Sequence, residues 1–253
     1  MSNILIMTIS IIFLSNFCLA DDTASKDGKE WKELNFGLIE SSRKGQVDKV
    51  KLLLNKGAVI STRNRFGNTA LHYAARNNHM NVLKILLDSG ADYDLPNLSQ
   101  RTPFLEALIN GNKEIANFLL DLGANVKVQD NDDMTAVTAA SYNGLHEICK
   151  KIIELGAKAS VIDNSGKSAI HYAAGNGYLQ TIQVLVDAGI EINTLDTNKV
   201  SPLMWASAYG HNDVVLYLLS LNAKKDYRDK SGKTAAEYAI NAGYEEIYSI
   251  LIK

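Results

Sequence analysis

One short block recurs every 33 residues along this chain, six times without a break. It starts at Thr69 (TALHYAA), Thr102 (TPFLEAL), Thr135 (TAVTAAS), Ser168 (SAIHYAA), Ser201 (SPLMWAS) and Thr234 (TAAEYAI). A second block keeps the same beat: LLNKGA ends at Ala58, LLDSGA at Ala91, LLDLGA at Ala124, IIELGA at Ala157, LVDAGI at Ile190 and LLSLNA at Ala223. Self-similarity at this period is the mark of a stacked array, in which no unit has a core of its own and each buries its apolar face against its neighbours.

Residues 64–96 show how one unit works. Asn64 to Asn68 carry turn chemistry, with Gly67 free to take a positive φ. Thr69 is placed to cap a first helix that runs to about Arg76, and its Ala74–Ala75 pair lets neighbouring helices approach closely. Asn77–Asn78 ends that helix. A second helix from about Asn81 to Asp88 buries Val82, Leu83, Ile85, Leu86 and Leu87, and Gly90 stops it. The other copies keep these rules. Pro103 and Pro202 stand at the first helical position, where a fixed φ suits a helix start.

The TALHYAA and SAIHYAA blocks, the LLxxGA helix ends and the DxxGxT turns at Asp163–Ser168 and Asp229–Thr234 resemble ankyrin repeats. The resemblance covers about residues 31–253. It implies an all-α solenoid of stacked helix-turn-helix units with β-turn fingers, divided as an N-terminal cap repeat (31–63), repeats 64–96, 97–129, 130–162, 163–195 and 196–228, and a C-terminal cap repeat (229–253). Three fingers depart from the pattern: Gln100, Asp133 and Lys199 stand where Gly67, Gly166 and Gly232 stand in the others. A strained or altered finger is expected there.

The start of the chain is different material. Ile4 to Leu14 is apolar, and Cys18-Leu19-Ala20 before Asp21 resembles a signal peptidase site. The stretch is short and interrupted by polar residues for a membrane span, although it lacks the usual basic residue near the start. A signal peptide over 1–20 is therefore expected, with an uncleaved anchor as the alternative. Charged residues 21–30 have no apolar face and read as a flexible leader. With 26 basic and 28 acidic residues and a formal net charge of −2, the chain has no general attraction to nucleic acid or anionic membrane. Cys149 is the only cysteine beyond the expected signal, so no internal disulfide is available, and its helical apolar position predicts a buried, inert thiol.

No residue pattern points to catalysis, a cofactor or a metal. His72 and His171 occupy the same repeat position, and the resemblance implies that they are structural, bonding between neighbouring turns. His146-Glu147 lacks the second histidine of a zinc-protease helix. Asp130, Asp132 and Asp133 crowd one finger without the glycine and glutamate of a calcium loop. The chain is expected to be no enzyme.

Ankyrin arrays resemble one another in binding proteins with the fingertips and the inner faces of their first helices. Those positions are here Arg65, Phe66, Arg76, Asn77, Leu98, Ile109, Asn110, Met134, Tyr142, Asn143 and Tyr209, together with Asn68, Arg101, Lys167, Asn176, Val200, Lys230 and Lys233. Phe66, Leu98, Ile109, Met134, Tyr142 and Tyr209 are expected to face water as apolar anchors. Basic residues cluster toward the two ends, which predicts a groove with a neutral apolar middle and positive shoulders. The expected protein is an exported, monomeric, protein-binding module; the alternative is a membrane-tethered scaffold.

Overall fold

A computed structural model describes residues 23–253; the expected signal segment lies outside the described residues. The chain forms seven helical pairs in sequence. They are α1 (Thr23–Arg43) with α2 (Val47–Asn55), α3 (Ala70–Arg76) with α4 (Met80–Asp88), α5 (Pro103–Ile109) with α6 (Lys113–Asp121), and α7 (Ala136–Tyr142) with α8 (His146–Glu154). Then come α9 (Ala169–Gly175) with α10 (Leu179–Asp187), α11 (Pro202–Ala208) with α12 (Asn212–Ser220), and α13 (Ala235–Asn241) with α14 (Glu245–Leu251). Each first helix packs on its own partner and on the first helices before and after it, so the stack is one-dimensional. The apolar cluster runs unbroken from Leu38 and Val50 to Ile247 and Leu251.

Local chemistry sets the helix boundaries. Thr102, Thr135, Ser201 and Thr234 each accept the backbone N–H three residues on, at 3.1–3.3 Å. Between the paired helices the chain takes a positive φ, at Asn78 as at the glycines of the other repeats. Cys149 is buried, with its thiol 3.6 Å from Ser141 Oγ. Burial pushes that thiol up to about 11, which keeps it protonated and unreactive at neutral pH.

The six fingers share one construction. An Asn or Asp side chain accepts two backbone N–H groups, from residues two and four positions on, and the chain closes three residues later. Asp163 Oδ1 thus accepts from Ser165 N and Lys167 N at 2.8 and 3.0 Å. Asn64, Asn97, Asp130, Asp196 and Asp229 do the same in their fingers. Gln100, Asp133 and Lys199 take φ of +62°, +61° and +59°, the left-handed region that Gly67, Gly166 and Gly232 also occupy. The fingers without glycine therefore keep the common shape, and the departure is confined to left-handed strain at single residues.

The flexible leader expected over 21–30 is helical from Thr23 onward, as part of α1. Asn35, Leu38 and Ile39 are buried against the array and anchor the helix. Once that nucleus exists, upstream residues extend it at little further cost, aided by the Lys29–Glu33 pair at 4.0 Å.

Candidate functional site

The expected binding residues separate into three groups. Phe66, Leu98, Tyr142 and Tyr209 are exposed at 53%, 65%, 48% and 54%, as anticipated. Arg65 is also exposed and lies 4.7 Å over the Phe66 ring, at the tip of the first full finger. Ile109 and Met134 are not open anchors: both are half-buried and pack against the core. Val200 is buried.

The asparagines at the ends of the first helices are committed to the stack. Asn77 Nδ2 donates to the Arg43 carbonyl at 2.8 Å. Asn143 Nδ2 donates to the carbonyls of Leu108 and Ile109 at 2.8 and 3.0 Å, and Asn176 Nδ2 to that of Tyr142 at 2.9 Å. The carbonyls of Arg43, Ile109 and Tyr142 stand at helix ends and are met by the following repeat, while that of Leu108 also accepts from Gly111 N at 3.1 Å. Asn110 turns back on its own helix, to Glu106 O at 2.8 Å.

Charges follow the same logic. Arg76 Nε lies 3.7 Å from Glu106, whose carboxyl is buried and pushed up by that burial. Arg101 Nε meets the buried Asp130 at 2.8 Å. Arg43 pairs with Glu40 and Arg228 with Glu237. The positive shoulders are therefore partly neutralised, and the middle is not neutral, since Lys167 stands within it. Its ammonium lies 4.3 Å from the Trp205 ring and 5.5 Å from that of Tyr172.

Around Lys167 two clefts adjoin. The larger, about 640 Å³, lies between the last three fingers and the first helices, with Lys167, Trp205, Tyr209, Lys230 and Tyr238 on its walls. The smaller, about 260 Å³, shares Lys167, Trp205 and Tyr209 and adds Tyr142, His171 and Tyr172. Tyr209 stacks on Trp205, with centroids 5.8 Å apart and planes at 5°, and Tyr142 meets Tyr172 edge-on at 5.7 Å. The opening exists because one repeat position, held by Arg76, Ile109 and Tyr142 in earlier units, becomes Gly175 and then Ala208.

Of the residues expected from sequence, this site unites Tyr142 and Tyr209 with Lys167 and Lys230; Phe66 and Leu98 belong to the first fingers and do not line it. Tyr172, Trp205 and Tyr238 were missed. They occupy the tyrosine position of the TALHYAA block, which reads as interior packing. The signal that could have found them was the small residue three positions later, at Gly175 and Ala208.

The two recurring histidines are structural in their contacts. His72 Nδ1 accepts from Thr69 N at 3.2 Å, which leaves the proton on Nε2 to donate to Arg101 O at 3.0 Å. His171 Nδ1 accepts from Ser168 N at 3.1 Å, but its Nε2 has no hydrogen-bond partner. Asp130, the centre of the acidic finger, is occupied by its own turn and by Arg101.

A stack of helical pairs joined by fingers, each unit leaning on the next, is a helical repeat protein. The family described as Ankyrin repeats (3 copies) matches residues 38–130, 122–196 and 190–253, and the chain belongs to it. Its fold is similar to the crystal structure of the human ASB11 ankyrin repeat domain: TM-score 0.72, 20% identity, with 85% of this chain and 96% of that chain covered. Among curated proteins no sequence matches. Ankyrin repeats are protein-binding modules, and no helix among the described residues is long and apolar enough to cross a membrane.

Proposed function

We propose that this chain is an exported, monomeric, non-enzymatic binding module that takes a protein partner on the face between its last fingers and first helices. One observation carries the reading: Tyr142, Trp205 and Tyr209 present aromatic surface around a cleft, with the Lys167 ammonium among them. Aromatic side chains bury large area at little entropic cost, which makes them the usual energetic centre of an interface. Export is supported by the apolar stretch from Ile4 to Leu14 followed by Cys18-Leu19-Ala20.

Affinity capture with the tagged full chain tests the face. Tyr142→Ala with Tyr209→Ala removes two exposed rings and leaves the core intact, whereas Ile109→Ala would also disturb packing. A partner held by the wild type and lost by the double variant supports the reading; equal retention contradicts it. The mass of the mature amino terminus tests export: a chain starting at Asp21 is the expected result, and retention of residues 1–20 favours the tethered alternative.

A further inference from the structure

We infer that the cleft around Lys167 and Trp205 takes an extended acidic peptide segment, one carboxylate side chain flanked by an apolar or aromatic one. The inference rests on the protein-binding reading and names the chemistry of the partner.

The first argument is how charge is oriented. The three carboxylates of these fingers are engaged by their own donors, although Asp196 and Asp229 also line the larger cleft. Asp163 accepts from the backbone of Ser165 and Lys167 and from the hydroxyls of Ser165 and Tyr172. Asp196 is buried and accepts from Asn198 N and Val200 N at 2.8 and 2.9 Å. Asp229 accepts from the backbone of Ser231 and Lys233 and from the Tyr238 hydroxyl at 2.7 Å. Each negative charge is thus surrounded by its own donors. Lys167, Lys230 and Lys233 have no ion pair among the described residues. Lys167 and Lys233 instead lie over aromatic rings, the latter 5.9 Å from Tyr238. The smaller cleft carries Lys167 and no carboxylate, so a ligand entering there meets an ammonium group, which would oppose a basic segment.

The second argument is the chemistry of the wall, where the Lys167 ammonium lies against the rings of Trp205 and Tyr172. A carboxylate supplies several lone pairs and would form charge-assisted bonds with Lys167. The rings of Trp205, Tyr209 and Tyr142 supply the apolar surface for the residue beside it, in the space left open by Gly175 and Ala208.

Selection of random twelve-residue peptides on the immobilised full chain tests this. The expected result is enrichment of Asp or Glu next to Leu, Phe or Trp, with affinity that falls as salt is added. Affinity should drop about tenfold on Lys167→Met, the size expected for one lost charge-assisted contact. Gly175→Ile should abolish binding by plugging the cleft, in an array that already carries Ile109 at that position, with the thermal melt showing that the fold survives. Lys199→Met, outside the cleft, should leave binding unchanged. Enrichment of neutral or basic peptides, indifference to both cleft substitutions, or recovery of no peptide would overturn the inference. If a captured partner is still lost on Tyr142→Ala with Tyr209→Ala, the binding face stands and only the acidic assignment falls; if it is retained as well, both fall.

Discussion

His72 Nε2 lies 3.0 Å from the carbonyl oxygen of Arg101, so one imidazole joins two successive repeats. Its other nitrogen accepts the Thr69 N–H at the start of its own helix. The arrangement requires the neutral ring, because a proton on Nδ1 would face that N–H. Burial, reinforced by Arg63, lowers the His72 pKa from 6.5 to about 4 even though the Arg101 carbonyl favours the charged form.

The sign of the pH dependence follows. A histidine whose pKa is depressed by folding contributes stability that is complete above 6.5 and is lost as pH falls toward 4. The loss should be on the order of 2–3 kcal/mol. His171 is shifted down too, while Glu106 is shifted up and acts in the opposite sense. Comparing urea melts of wild type and His72→Gln from pH 7 to pH 4.5 removes the contributions of both. The wild type should lose more stability on acidification than the variant; equal slopes would contradict the assignment.

Asp130 receives the N–H groups of Asp132 and Met134 at 2.9 Å and the Arg101 guanidinium at 2.8 Å, all in a buried position. Asp130→Ala leaves those donors without an acceptor and should cost about 2–4 kcal/mol by chemical denaturation. Asp132→Ala, exposed on the same finger, should change stability by less than about 0.5 kcal/mol.

Gln100 holds a φ of +62° with its side chain exposed. Gln100→Gly should therefore stabilise the chain by up to about 1 kcal/mol, as relief of left-handed strain outweighs the added freedom of the unfolded chain. A melt lower than the wild type's would show that the glutamine side chain contributes more than its backbone conformation costs.

Asn143 and Tyr142 are adjacent in sequence and should behave oppositely. Asn143→Ala deprives the Ile109 carbonyl of its donor, while that of Leu108 keeps Gly111 N, and should cost about 1 kcal/mol, with partner binding by the folded protein unchanged. Tyr142→Ala should leave the melt nearly unaltered and weaken binding.

The recurrence of one block made the array legible, because a repeat too small to bury its own apolar face can only stack. Helix starts at Thr69, Thr102 and Ser168 were readable for a similarly local reason: a hydroxyl at that point has an N–H group or an imidazole to meet. The site was harder to read because surface exposure depends on the neighbour. Asn77 and Asn143 look like free polar residues until the preceding helix end is placed beside them. Met134 and Ile109 look like open anchors until the core they pack against is in place. Trp205 and Tyr172 were hidden for the converse reason, since the position they hold looks internal until Gly175 and Ala208 are seen to uncover it. The helical start of α1 was missed because composition carries no record of the anchor that Asn35 and Leu38 provide downstream.

Amide hydrogen exchange of the full chain, with and without its captured partner, tests the binding face most directly. The account predicts new protection in the last fingers and first helices, at residues 165–176, 197–209 and 229–238. Protection concentrated instead on the second helices, such as α4 and α8, with those segments unchanged, would contradict it.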